Sequence, residues 1–127
     1  MLTTGHAFSG FSVRDTAVAK AFYEGVLGLT VTENGMGILD IALPHGSHVI
    51  AYPKGDDHVP ATFTILNFEV DDIDAAVDEL EAAGVTLENY GGYADERGIM
   101  RGMAAGQGPD IAWFLDPSGN ILSVLAG

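Results

Sequence analysis

The stretch Phe-Ser-Val-Arg-Asp at residues 11–15 recurs 57 residues later as Phe-Glu-Val-Asp-Asp at residues 68–72, and this repeat decides the fold. Each copy alternates apolar with polar residues and then runs into apolar residues at helical spacing. Each copy is therefore predicted to be a strand that leads into a helix. Asp15 and Asp72 stand where a side chain accepts hydrogen bonds from the first free N–H groups of a helix. The second helix is predicted to end at Gly84.

A second recurrence, at an offset of 73 residues, links Pro-His-Gly at 44–46 with Pro-Ser-Gly at 117–119. Each of these turns precedes a predicted strand, at residues 48–52 and 121–125. Each half has two further predicted strands, at residues 30–33, 38–43, 86–90 and 111–115. The sequence thus predicts an α+β fold in a single domain, 1–127, with a βαβββ module at 1–58 and another at 59–127.

The extra residues of the second half fall in the glycine-rich segment 91–110, which is predicted to be a mobile loop. The helix of a βαβββ module covers one face of its sheet and leaves the other bare. The bare faces of the two modules are expected to curve together into a ligand-binding cleft.

The composition limits the classes of partner. With a net charge of −13 and five Lys and Arg residues, the chain would repel nucleic acid and favour a cationic small molecule. It has no cysteine, which excludes disulfides and thiolate metal sites. No apolar run approaches the roughly 20 residues that span a bilayer, and no targeting signal is found at the N-terminus. We expect a cytoplasmic protein with no membrane or nucleic-acid partner.

Two longer segments carry a resemblance to a known family: Ala-Phe-Tyr-Glu-Gly-Val-Leu-Gly-Leu at residues 21–29 and Phe-Leu-Asp-Pro-Ser-Gly-Asn at residues 114–120. Both resemble hallmarks of the vicinal oxygen chelate superfamily, the glyoxalase, bleomycin-resistance and dioxygenase group. The resemblance covers nearly the whole chain. It implies that the two modules pair into a cleft or half-barrel, and that the protein is a homodimer. It does not identify a reaction, since one fold hosts many functions.

Enzymes of that superfamily hold a divalent metal with His or Glu on the first and last strands of each half. The resemblance maps these four positions onto Phe8, Ile50, Ile65 and Ser123. None of these side chains is a ligand of the kind that divalent ions require. The sequence therefore predicts no metal and no other cofactor. As in drug-sequestering relatives of the bleomycin-resistance type, it favours the metal-free binding of a small apolar, aromatic or cationic molecule.

Strand alternation predicts which side chains line the bare sheet faces. The predicted ligand-binding residues on the strands are Phe8, Gly10, Ser12, His48, Ile50, Tyr52, Ile65, Asn67, Glu69 and Ser123. Trp113 and Phe114 are adjacent on one strand and must point to opposite faces, so both stay candidates. The glycine-rich segment is a candidate lid that contributes Met100 and Arg101 to the site. The same loop carries further aromatic, charged and Met residues, which are Tyr90, Tyr93, Glu96, Arg97 and Met103.

Two other functions stay open. His48 and Glu69 are weak candidates for catalytic acid–base partners, or for irregular metal ligands together with Glu96. They would make the protein a metal-dependent lyase, isomerase or dioxygenase with atypical ligands. A structural or regulatory partner module would be indicated by an exposed apolar patch. The remaining histidines match no zinc pattern and are predicted to be surface residues: His6, His45 and His58.

Overall fold

Each half of the chain forms its own sheet in the computed structural model, which describes residues 1–127. The chain divides into a first unit, Met1–Pro60, and a second unit, Ala61–Gly127. The first unit contains β1 (Ser9–Val13), α1 (Thr16–Lys20), β2 (Thr30–Glu33), β3 (Leu39–Ala42) and β4 (His48–Pro53). Its strand order is β1-β4-β3-β2, with β1 parallel to β4 and the other pairs antiparallel.

The first helix begins directly after Asp15, as the sequence predicts. The carboxylate of Asp15 accepts hydrogen bonds from the N–H groups of Ala17 and Val18, at 2.8 and 3.1 Å. After α1 the chain widens into a π-helical turn at Ala21–Val26, which the sequence did not predict. In this wider turn the N–H of Leu27 donates to a carbonyl five residues back. Gly28 then ends the helix at a φ of +75°.

The core of the first unit lies between its sheet and the helix. The alternating pattern of β1 and β4 turns one set of side chains towards α1 and leaves the other set on the opposite face. The helix-side set is apolar and buried, and it comprises Phe11, Val13, Val31, Leu39, Ile41, Val49 and Ala51, packed with Ala19, Phe22 and Tyr23.

The second unit repeats this design. It contains β5 (Thr64–Glu69), α2 (Ile73–Ala82), β6 (Leu87–Glu88), β7 (Met100–Arg101), α3 (Gly102–Ala105), β8 (Asp110–Leu115) and β9 (Ile121–Ala126). Its order is β5-β9-β8-β6, with β5 parallel to β9 and with β7 also paired to β8. The two sheets share one connectivity, so the prediction of two βαβββ repeats in an α+β fold is confirmed.

The capping of α2 follows the prediction as well. The carboxylate of Asp72 accepts a hydrogen bond from the N–H of Ala75 at 3.1 Å. Gly84, at a φ of +88°, follows the helix end. Among the residues that α2 buries is Val77, and the core on the sheet side includes Phe114, which is fully buried.

The segment 91–110 carries more regular structure than a loop. It contains β7 and the short helix α3. Gly102 allows this compact arrangement, because a Cβ there would lie 2.4 Å from the carbonyl oxygen of Pro109. The preceding predicted strand, 86–90, is shorter than expected and consists of β6 alone.

The turn at residues 116–120 is held together by side chains. The buried carboxylate of Asp116 accepts hydrogen bonds from the N–H groups of Ser118 and Asn120, at 2.8 and 2.9 Å. The amide oxygen of Asn120 accepts in turn from the N–H of Ala61 at 3.1 Å. This part of the family resemblance therefore serves the fold rather than a reaction. Across the whole chain, no helix has the length and apolar character needed to cross a membrane.

Candidate functional site

The face of the first sheet that points away from α1 carries six of the predicted site residues, on β1, on β4 and just before β1. Strand register pairs Gly10 with Ile50 and Ser12 with Tyr52, and these four residues lie on that face. A Cβ on Gly10 would come within 2.9 Å of the Ile50 side chain. Ile50 therefore packs directly over the Gly10 backbone, and only glycine fits there without a shift.

Among these residues, His48 has a ring that contacts two other side chains. Its ring lies 5.0 Å from the ring of Phe8, centroid to centroid. Its Nδ1 lies 3.0 Å from a carboxylate oxygen of Asp40 on the neighbouring strand β3. A carboxylate in this position fixes the tautomer and orientation of an imidazole. The sequence analysis missed Asp40, because only the register of β3 against β4 brings it beside His48.

His58 is buried, with 4% of its surface exposed, so the prediction that it is a surface residue is wrong. Its Nδ1 lies 2.8 Å from the hydroxyl of Ser12. The chain turns back after β4, where the N–H of Lys54 donates to the carbonyl of Val13 at 2.9 Å. This turn brings the linker against β1. No local pattern in the sequence signals it.

The second sheet presents a row of polar and aromatic groups on the face away from α2. Asn67, Ser123 and Trp113 are neighbours in register across three strands. The Ser123 hydroxyl donates to the amide oxygen of Asn67 at 2.6 Å. The Trp113 indole N–H donates to the Thr64 hydroxyl at 3.2 Å, and the Tyr90 ring meets the indole edge to face, 5.5 Å away.

Three predictions about this sheet are refined or corrected. Of the adjacent aromatic residues, Trp113 lies on the bare face, whereas Phe114 lies in the core against the α2 side. Ile65 does not keep simple alternation with Asn67, because the register of β5 shifts between Thr64 and Leu66. This bulge puts Thr64 opposite Ile121 and on the face that carries Asn67. Glu69 is exposed at the end of β5.

The second unit also contains a cavity of about 460 Å³. We call it the β7–α3 cavity, after the elements that supply most of its wall. Its lining includes Met100 and Arg101, which are predicted ligand-binding residues, and Tyr93, which belongs to the candidate lid. The remaining lining residues were not predicted, and they are Gly102, Ala105, Gln107, Pro109 and Ile111.

Two arginines tie this region to α2. Arg101 donates two hydrogen bonds to the carboxylate of Asp74, at 2.8 and 2.9 Å, and a third to Asp95 at 3.1 Å. Arg97 donates to Asp78 at 2.6 Å and Glu81 at 2.7 Å, with a longer contact to Asp74. We call these two arginines and four carboxylates the arginine latch. The sequence analysis placed both arginines in a lid and did not predict their partners.

The latch shifts the titration of its own members. The hydrogen bond from Arg101 is the largest influence on Asp74 and, against an opposing effect of burial, holds the pKa of that carboxyl below its usual value. Burial raises the pKa of Asp95, but the N–H groups of Ile99 and Arg97 and the Arg101 guanidinium outweigh it, so the net shift is also downward. Both carboxyls are thus stabilised as carboxylates by the positive charge and N–H groups around them.

The side chains at the four family metal positions do not fit a divalent ion. Phe8 packs on an imidazole, Ile50 packs on Gly10, and the Ser123 hydroxyl is hydrogen-bonded to Asn67. Ile65 has only a hydrocarbon side chain. Nowhere in residues 1–127 are three His, Asp or Glu side chains grouped so that they could hold a metal ion.

Comparison with known proteins agrees with this architecture. The family model of the Glyoxalase/Bleomycin resistance protein/Dioxygenase superfamily matches residues 4–124. No curated protein matches the chain by sequence.

Solved structures of similar fold include TnmS3, an antibiotic binding protein from Streptomyces sp. CB03234. It is 20% identical, with a TM-score of 0.70 over 99% of this chain and 98% of that one. The fosfomycin resistance protein FosX from Listeria monocytogenes, complexed with Mn(II) and sulfate, is 13% identical, with a TM-score of 0.69 over 98% and 90% of the two chains. A superfamily member from Sphaerobacter thermophilus is 22% identical, with a TM-score of 0.69 over 97% and 98%. At these identities the likeness concerns the fold.

Proposed function

The chain belongs to the Glyoxalase/Bleomycin resistance protein/Dioxygenase superfamily, and we propose that within it this protein binds a small apolar, aromatic or cationic molecule without using a metal ion. The observation that carries the proposal is the identity of the four family metal positions, Phe8, Ile50, Ile65 and Ser123. Apolar side chains and a hydrogen-bonded hydroxyl cannot replace imidazole and carboxylate ligands. The same groups suit direct contact with an organic molecule.

The surroundings of these positions support binding by apolar contact and a few fixed polar groups, which is the usual composition of small-molecule sites. Phe8 offers aromatic surface in the first unit. In the second unit, Trp113 offers aromatic surface and the exposed Asn67 amide offers neutral hydrogen-bonding atoms. TnmS3 is an antibiotic binding protein and FosX a fosfomycin resistance protein. Antibiotics therefore belong in the first set of compounds to be tested.

The test begins with metal. Untagged, dialysed protein is analysed by elemental mass spectrometry, and its melting temperature is measured with added nickel, zinc, manganese and iron(II). We expect no near-stoichiometric metal and no rise in melting temperature. Metal bound near one equivalent per chain would overturn the proposal.

Ligand binding is then followed through Trp113, the only tryptophan in the chain. A compound that binds on the bare face of the second sheet should change its emission, because the indole is partly exposed there and contacts Tyr90. The variant Trp113→Phe serves as the control that assigns the signal. Failure of every apolar, aromatic and cationic compound to alter emission or melting temperature would contradict the proposal.

A second candidate is a metal-dependent lyase, isomerase or dioxygenase with atypical ligands, in which His48 would be one ligand. One observation favours it: the carboxylate of Asp40 orients the His48 ring, as outer carboxylates orient histidines that bind metals. This enzyme would lose both metal and activity in His48→Ala. The binding protein would show no change in metal content.

We also propose a homodimer, which the family resemblance implies. Sedimentation velocity at several protein concentrations measures the mass directly. A monomer of 13.3 kDa at every concentration would contradict this part of the proposal.

A further inference from the structure

We propose that the β7–α3 cavity binds a neutral aromatic molecule that carries a hydrogen-bond acceptor such as a carbonyl oxygen. The inference rests on the proposed function, because it names one place and one chemical class for the ligand. The volume of the cavity, about 460 Å³, lies within the range of about 300–1,000 Å³ that is usual for small-molecule sites.

The walls of the cavity favour a flat apolar guest. Met100, Ile111 and Pro109 provide hydrocarbon and thioether surface, and Tyr93 adds an aromatic ring. Methionine adapts its shape to a guest and contacts aromatic rings favourably. Tyr93 is 85% exposed in the free protein, so its ring has contact area to gain from a bound molecule.

Arg101 supplies the polar recognition. A guanidinium has five N–H groups, and three of them are donated to Asp74 and Asp95. Two N–H groups remain, one on each terminal nitrogen, while the carboxylates hold the group in place. Such a fixed donor is suited to a carbonyl oxygen. The Gln107 amide is a further donor and acceptor on the wall.

The charges around Arg101 select against ions. The arginine latch combines two guanidinium groups with four carboxylates, so its net charge is −2. An anion would gain little binding energy from an arginine that is already paired. It would also be repelled by the net charge of −2 on the latch and by the net charge of −13 on the whole chain. A cation would face Arg101, the only ionic group on the wall. A neutral acceptor avoids both penalties.

The cavity belongs to a segment that has no counterpart in the first unit. Seven of its eight lining residues come from 91–110, which holds the extra residues of the second half. The close approach of Gly102 to the Pro109 carbonyl shapes this segment. The latch fixes it to α2 and so gives Arg101 a defined position before any ligand arrives.

The experiment uses three probes that differ in one group: 2-acetylnaphthalene, 2-ethylnaphthalene and 2-naphthoate. Each is titrated into the ¹⁵N-labelled full chain and followed by two-dimensional NMR. The ketone should shift the amide signals of β7 and α3. It should bind at least about 5-fold more tightly than either other probe, since one net hydrogen bond contributes about 1 kcal/mol.

Two matched variants test the location. Ala105 and its helix neighbour Ala104 are both exposed, but only Ala105 lines the cavity. Ala105→Leu should fill part of the volume and weaken ketone binding about 10-fold or more, as inserted methylenes crowd a shaped site. Ala104→Leu should bind the ketone as the native chain does.

The outcomes separate this inference from the proposed function. Shifts confined to the Trp113 face, equal binding by Ala105→Leu and Ala104→Leu, or preferred binding of 2-naphthoate would each overturn the cavity assignment and leave the proposed function standing. Absence of ketone binding would also overturn it. Stoichiometric metal would overturn the proposed function instead. If Ala105→Leu does not fold, the location of the shifts in the native chain decides.

Discussion

Among single residues, the contact between Ser12 and the buried His58 makes a specific prediction about stability. The Ser12 hydroxyl lies 2.8 Å from the His58 ring, which has 4% of its surface exposed. Ser12→Ala removes this hydrogen bond, and a hydrogen bond of this kind contributes about 0.5–1.5 kcal/mol to stability. We expect a loss of that size in the free energy of unfolding, measured by urea denaturation at pH 7.

Ser9→Ala is the matched control for Ser12, since Ser9 lies on the same strand and is exposed. Its expected change is within about 0.5 kcal/mol, as for most surface substitutions. Equal effects of the two substitutions would show that the Ser12–His58 contact adds nothing to stability.

Gly102 offers a second test at this scale. A Cβ at this position would lie 2.4 Å from the carbonyl oxygen of Pro109, which is backbone and cannot rotate away. Gly102→Ala should therefore displace β7 or α3 and lower the free energy of unfolding by roughly 1–3 kcal/mol. Gly25→Ala is the control, because a Cβ there meets nothing within 4 Å. If both variants unfold at the same urea concentration, the close approach of position 102 to the Pro109 carbonyl does not affect stability.

Among the elements, α2 and segment 91–110 are coupled through the arginine latch, and this coupling depends on pH. The hydrogen bond from Arg101 holds the pKa of Asp74 below its ordinary value of 3.8. At Asp95 burial raises the pKa, but the N–H groups of Ile99 and Arg97 together with Arg101 outweigh it and hold the pKa below 3.8. As the pH falls, the unfolded chain takes up these protons first. The stabilisation of the folded protein by these two carboxylates is therefore complete above about pH 4. It is lost as the pH falls through the lower pKa values that they have in the folded protein.

Asp74→Asn isolates this effect. The variant should melt at a lower temperature than the native chain at pH 6, and the difference should shrink towards pH 2.5. Hydrogen exchange of the Ile99 amide, whose N–H donates to Asp95, reports on the segment itself and should quicken in the variant. Asp71→Asn, at an exposed carboxylate outside the latch, is the control. A melting difference that is the same at every pH would contradict the latch.

Sequence reasoning succeeded for elements whose signals are local. The carboxylates of Asp15 and Asp72 and the alternation of β1, β4 and β9 gave the two repeats, because caps and alternation depend on neighbours in the chain. The β5 bulge and the π-helical turn break those local periods without a marker in the sequence, so neither was predicted.

The candidate site was less predictable for the same physical reason. Phe8, His48, Trp113 and Ser123 were named by strand parity alone. Their partners were not, because Asp40 reaches His48 only through the pairing of β3 with β4. Arg101 was predicted only as a ligand-binding residue of the lid. Its bidentate contact with Asp74, 27 residues earlier, depends on how the segment folds back on α2.

At the scale of the whole molecule, the excess of acid governs the response to salt. The chain has 18 Asp and Glu residues against five Lys and Arg residues, and its net charge is −13. Repulsion among these negative charges destabilises the compact folded state. It is screened as the Debye length falls from roughly 30 Å at 0.01 M salt to about 8 Å at 0.15 M. The melting temperature at pH 7 should therefore rise by a few degrees over this range of potassium chloride.

The rise in melting temperature should occur even though the same salt weakens the arginine latch, because the unpaired carboxylates outnumber the paired ones. The double variant Asp71→Asn, Glu79→Gln removes two exposed negative charges and should show a smaller rise. Chloride is used rather than sulfate, since sulfate strengthens apolar burial in any protein. A melting temperature that falls with potassium chloride would mean that the ion pairs of the latch outweigh the general repulsion. In that case the stability of the second unit would depend mainly on Arg97 and Arg101.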